Sequence, residues 1–158
     1  MADTSENTPV YQELELLNAI LIGFMMGVYE VMGKGGAQAI INMAGKKTGQ
    51  EILRFARDHS IEINTLNDLK RFLIDSNLMG EMDFYTDEHA TFVRIVECKT
   101  CPKKVGHYSF DGTACPWGGV LSGAISEILG AQYSTSPKLS PGQQCVLEIK
   151  KSRTDPRN

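Results

Sequence analysis

The chain has no excess of positive charge. Its 158 residues carry 16 Lys and Arg against 19 Asp and Glu, a formal net charge of -3. A domain that grips nucleic acid by its phosphates needs a basic face, so the balance argues against a nucleic-acid partner. A long uncharged run is also missing. The most apolar stretch, residues 16–29, has no charged side chain and is bracketed by Glu15 and Glu30. It falls short of the roughly 17–25 residues a membrane-spanning helix needs, and it reads as a core or subunit-contact helix. The first nine residues lack the basic start and apolar run of a secretory signal. A cytoplasmic location with reduced thiols is therefore expected. No G-x-x-x-x-G-K-[ST] phosphate loop, H-E-x-x-H helix or G-x-S-x-G elbow occurs. No catalytic constellation emerges, and a non-enzymatic role is expected.

What is present fits one ordinary globular domain, with 42% hydrophobic and 22% charged residues. At this length about 70% of the unfolded chain's surface can be buried, so no disulfide staple is needed. The expected organisation is a disordered segment at 1–9, one domain over 10–151 and a frayed tail at 152–158.

Residues 11–32 read as a first helix, ended by Gly33, Gly35 and Gly36, since glycine opens positive φ. Residues 37–59 read as a second, with Gly45 and Gly49 four apart for close packing against a neighbouring helix. A third is predicted over 65–77, capped by Asn64 or Thr65, with Asp68 in its first turn. Two strands follow at 81–86 and 90–98. Val93 and Ile95 share one face, with Phe92, Arg94, Val96 and Cys98 on the other. Residues 107–110 suggest another strand. Pro116 suits the first position of a helix over 116–129, and Gly130 closes it. Strands at 132–135 and 144–151 complete the sheet. Helices, strands, one helix and strands again predict an α+β domain, an antiparallel sheet packed against helices.

The four cysteines form the pattern Cys98-x2-Cys101, Cys115, Cys145. A C-x2-C loop aims two sulfurs at one point, and zinc takes four ligands in a tetrahedron. Cys115 caps a helix start, where the dipole favours a thiolate. Cys145 opens the final strand and points inward with Leu147 and Ile149. Three readings stay open: a zinc site of Cys98, Cys101, Cys115 and Cys145, inert buried thiols, or a redox-responsive pair, Cys98 and Cys101. His107 is a reserve ligand.

Several segments together resemble the 4-vinyl reductase, or hydrocarbon-binding, domain family. They are Ala44–Ile52, the strand ending at Glu97-Cys98, Cys115–Ala124 and Pro141–Ile149. The resemblance spans about residues 36–151. It implies a fold related to small-molecule sensors and vesicle-tethering subunits, a pocket for an apolar or aromatic ligand, and a homodimer. It also implies a zinc beneath the pocket, with Cys115 and Cys145 matching two ligand positions. Ser134 and Pro137 stand where the other two ligands would be, so Cys98 and Cys101 are expected to replace them. Candidate pocket residues are Phe24, Met25, Met26, Phe84, Phe92 and Trp117. The apolar face of the first helix, Leu16, Leu17, Ile20, Leu21, Phe24, Met25, Val28 and Met32, is the expected dimer seam.

Overall fold

A computed structural model describes residues 8–87, 90–96, 98, 115–138 and 144–152. The first element, α1, runs from Thr8 to Asp58 and is broken at one residue, Gly33, with φ 65° and ψ -178°. That region of backbone space is essentially open to glycine alone. One glycine therefore divides α1 into two limbs, 8–32 and 34–58. Gly35 and Gly36, expected to help end the first helix, lie within the second limb.

Helix α2 spans Leu66–Asp75 and starts with a reciprocal capping box. Thr65 Oγ1 accepts from the Asp68 amide while the Asp68 carboxylate accepts from the Thr65 amide. Its Leu69 and Leu73 are fully buried, four apart and so on one helical face. Ser76 and Asn77 end it, Asn77 at φ 55°.

Strands β1 (Met82–Thr86), β2 (Thr91–Ile95), β3 (Tyr133–Lys138) and β4 (Cys145–Lys151) form one sheet in the order β1-β2-β4-β3. Every neighbouring pair is antiparallel. The alternation read from the sequence holds: Val93 and Ile95 are buried, while Phe92 and Arg94 are half-exposed. Helix α3, Pro116–Leu129, has Cys115 at its N-cap and Gly130 in the left-handed region at its C-cap. The architecture is α+β, with the antiparallel sheet packed on helices. The strand expected at 107–110 lies outside the described residues.

Every residue of α3 from Trp117 to Ile125 is buried. A helix buried all round must be covered on opposite sides. The second limb of α1 covers one side and the sheet the other. The limb contact is made by glycines. A Cβ on Gly49 would stand 2.1 Å from Val120 O, and one on Gly123 would stand 2.2 Å from Lys46 O. Gly45 and Gly119 approach in the same way, their Cα atoms pressed together. The spacing Gly45-x3-Gly49 thus meets Gly119-x3-Gly123, giving the close packing expected of the first pair. On the sheet side Ser122 Oγ donates to Tyr133 O at 2.6 Å and Ser126 Oγ accepts from Tyr133 N at 2.9 Å. These bonds fix where β3 begins relative to α3.

Asp83 on β1 joins α2 to the sheet. Its carboxylate accepts from Lys70 Nζ of α2 and from Arg94 of β2 at 3.0 Å. The Lys70 hydrogen bond, then that of Arg94, hold the carboxyl below its ordinary value of 3.8. A carboxyl lowered by folding stabilises the fold above its unfolded value. That contribution is lost as pH falls from about 3.8 through the lower folded value. Asp83→Asn is therefore expected to narrow the loss of stability between neutral pH and pH about 3. The effect is small because the group is solvent-screened. Urea midpoints at the two pH values check it, and an unchanged acid loss counts against the triad.

Candidate functional site

A cavity of about 320 Å3 lies between the two limbs of α1 and the start of α3. The first limb supplies Leu21, Phe24, Met25 and Val28, which recur at helical spacing and so share a face. The second limb supplies Ile40, Ala44, Thr48 and Ile52 at every fourth residue, together with Ile41 and Gly45. Leu78, just beyond α2, and Pro116, Trp117 and Val120 of α3 close it. Thr48 carries the one hydroxyl among these side chains and spends it on Ala44 O, 3.0 Å away in its own helix. No charged side chain lines the space. The volume sits at the lower end of the range of small-molecule sites.

A second, wider groove of about 640 Å3 runs along the outside of the limb pair. It is also wholly apolar and shares Phe24, Val28 and Ile40 with the inner cavity.

The three described cysteines collect at one end of the sheet. Cys145 opens β4 opposite Ile95, the last residue of β2. Cys98 lies three residues beyond Ile95 and bridges to Met79. Cys115 caps α3, whose first turn faces Thr135 and Leu147 through Gly118. Each is half-buried and packs against the main core. This end of the sheet adjoins the cavity, because Leu78 precedes Met79 and Pro116 follows Cys115. Thiols are the donors zinc favours. Yet among the described residues no three of His, Cys, Asp and Glu stand close enough together to hold an ion. Cys101 and the reserve ligand His107 lie outside the described residues, so the expected set of four is not assembled within them.

Comparison with known proteins places these elements in a family. The model of the MJ0207 family matches residues 37–151, which take in most of the second limb, α2, α3 and all four strands. The chain belongs to the MJ0207 family. Uncharacterized protein MJ0207 of Methanocaldococcus jannaschii is 36% identical over 134 residues, covering 85% of this chain and 87% of its own. Uncharacterized protein MJ1342 of the same organism is 30% identical over 106 residues, covering 67% of this chain and 88% of its own. The first limb of α1, which forms one wall of the cavity, lies before the residues matched to the MJ0207 family.

In this MJ0207-family fold, three of the six expected pocket residues line the inner cavity: Phe24, Met25 and Trp117. The other three do not. Met26 is half-buried on the first limb and lines neither space. Phe84 packs into the main core. Phe92 stacks on Tyr85, its cross-strand partner, with ring centroids 5.1 Å apart. The alternation already carried that signal, since Phe92 points away from Val93 and Ile95. Among the remaining cavity residues, Ile40, Ala44, Thr48 and Ile52 recur at every fourth position, a spacing that marks one helix face, whereas Leu78 and Val120 carry no such local signal.

The expected dimer face divides. Leu16, Leu17, Ile20, Leu21, Phe24 and Met32 are exposed, whereas Met25 is buried and Val28 is half-buried against the cavity. By length and composition α1 is also apolar enough to cross a membrane, the one such helix among the described residues. The count of uncharged residues in 16–29 alone did not reach that length.

Proposed function

We propose that the protein is a non-enzymatic binding domain for one small apolar ligand, seated in the cavity between the limbs of α1 and the start of α3. The observation that carries this reading is the lining: no charged side chain, and side chains that are apolar apart from the Trp117 indole N–H and the Thr48 hydroxyl, which is already bonded to Ala44 O. Such a site rewards the burial of hydrocarbon, at about 25 cal/mol per Å2 of apolar surface, and offers nothing to a charged group. The resemblance of residues 115–124 and 141–149 to hydrocarbon-binding domains supports it.

We further propose that Cys98, Cys101, Cys115 and Cys145 hold a zinc ion at the adjoining end of the sheet. Bound there, the ion would tie together the start of α3, the start of β4 and the segment after β2. Those segments adjoin Leu78, Pro116 and Trp117, so the ion would brace the cavity floor.

Trp117 supplies the test. It is the sole tryptophan of the chain, is 5% exposed and lines the cavity. Titration with 1-bromooctane, whose bromine quenches indole on contact, is expected to quench its fluorescence saturably. Quenching that rises linearly up to the solubility limit, as collision alone produces, would overturn the binding reading.

A further inference from the structure

The first limb of α1 is apolar on two sides, and among the described residues only one of them is covered. Asn18, Ile22 and Met25 are buried, with Met25 packed on Ile41 of the second limb. On the far side of the helix stand Leu17, Ile20, Phe24, Gly27 and Val31. Their spacing of three, four, three and four residues is that of the narrow seam along which two helices pair knob into hole. Leu17, Ile20, Phe24 and Val31 are 49–82% exposed, and a Cβ on Gly27 would meet nothing within 4 Å. Of the twelve large apolar side chains exposed among the described residues, seven stand between Leu16 and Met32. At on the order of 100 Å2 each, they offer about 700 Å2. Each partner contributes roughly 800 Å2 to a standard interface, and a monomer ordinarily leaves less apolar surface open in one patch.

We propose that this seam is the interface of a homodimer, the first limb of one copy pairing antiparallel with that of a second. Self-complementarity selects a second copy. A two-fold interface sets one patch against itself, so the patch must supply both knob and hole. This one does: Phe24 is its largest knob, and Gly27, three residues on, is its hole. An antiparallel pair seats Phe24 of each copy over Gly27 of the other, and Ile20 over Val31. A parallel pair would press Phe24 on Phe24 and leave a void between the glycines, against the close packing of interface cores. A membrane surface fits less well. Helices that lie on membranes carry Lys and Arg on their polar face, whereas the sole charged residue within 16–33 is Glu30. The pairing is independent of what the inner cavity holds.

Sedimentation equilibrium tests it, with a chain mass of 17.4 kDa. Wild-type protein at micromolar concentration is expected at twice that mass. Phe24→Glu and Val31→Glu are each expected to raise the dissociation constant at least about 100-fold, because the two-fold puts two unpaired carboxylates into one apolar interface. Both positions are exposed in the single chain, so far-UV circular dichroism is expected to be unchanged. Met43→Glu, at an exposed apolar residue of the second limb, is expected to leave the dimer intact. Gly27→Phe is expected to weaken it about tenfold, since two rings then compete for one place. A wild type that stays monomeric at micromolar concentration overturns the proposal, and so does a dimer that both glutamate variants keep. A Gly27→Phe dimer as tight as the wild type overturns the antiparallel pairing. Phosphatidylcholine vesicles that carry down monomeric wild type but not Phe24→Glu would assign the face to a membrane and overturn the dimer as well.

Discussion

Gly49→Ala is expected to destabilise the protein by about 3 kcal/mol, lowering the melting temperature by roughly 6–12 °C. An added Cβ there would stand 2.1 Å from Val120 O and 2.8 Å from Ala124 N, both backbone atoms of α3. No rotamer change relieves a clash between a Cβ and a backbone, so the two helices must move apart. Alanine gains about 1 kcal/mol of helix propensity over glycine, and the clash exceeds that gain. Gly123→Ala, with Lys46 O at 2.2 Å, is expected to behave alike. Since the two sites share one contact, the double variant is expected to lose less than the sum. Gly23→Ala is the control. Nothing lies within 4 Å of its Cβ position, so it is expected to stabilise by about 0.5–1 kcal/mol. Thermal denaturation of the two single variants, the double and the control decides it. Equal effects at positions 23 and 49 would mean that the crossing is looser than described. Because Gly45 and Val120 also line the cavity, Gly49→Ala is expected to weaken 1-bromooctane binding as well.

Cys115→Ser is expected to abolish zinc binding. If four cysteines hold the ion, protein purified without chelator should contain about one zinc per chain, and the variant almost none. A structural zinc contributes about 10–16 kcal/mol of apparent binding free energy in small domains, and that energy is coupled to folding. Chelation of the wild type is therefore expected to lower the melting temperature far more than chelation of the variant. Cys145→Ser should match Cys115→Ser, because both residues lie at the same sheet end. Cys101→Ser separates two ligand sets: retention of the ion there would assign the fourth position to His107. Wild-type protein free of metal when purified without chelator would remove the zinc and leave the cavity reading standing.

The parts of the fold that depend on short-range chemistry were legible in the sequence. Thr65 and Asp68 announced the start of α2, Pro116 and Gly130 bounded α3, and period-two alternation placed Val93 and Ile95 on the buried face. Gly45 and Gly49 announced a close helix contact, although not its partner, because Gly119 and Gly123 lie some seventy residues further on. Gly33, Gly35 and Gly36 are equivalent in propensity, and only the tertiary course of the chain decides which one breaks the helix. The cavity was half legible for a related reason. Phe24, Met25 and Trp117 were singled out as large and apolar, but so were Phe84 and Phe92. What separates them is which side of the sheet each faces and which helix covers it. The cysteines were found by spacing; that Cys98 and Cys145 come to the same sheet end follows from the β2–β4 register, which no local pattern encodes.

The strand order has a consequence for how the chain comes to be folded. β4 follows the other strands in sequence yet lies between β2 and β3, bonded along its length to both. Until the residues up to Lys151 have been synthesised, β2 and β3 cannot join one sheet, and each keeps an open edge. Open strand edges are templates for pairing with other chains, and the apolar face of α3 has no sheet to cover it during that interval. The newly made chain is thus most prone to aggregate just before β4 emerges, and help from a chaperone would matter most at that moment.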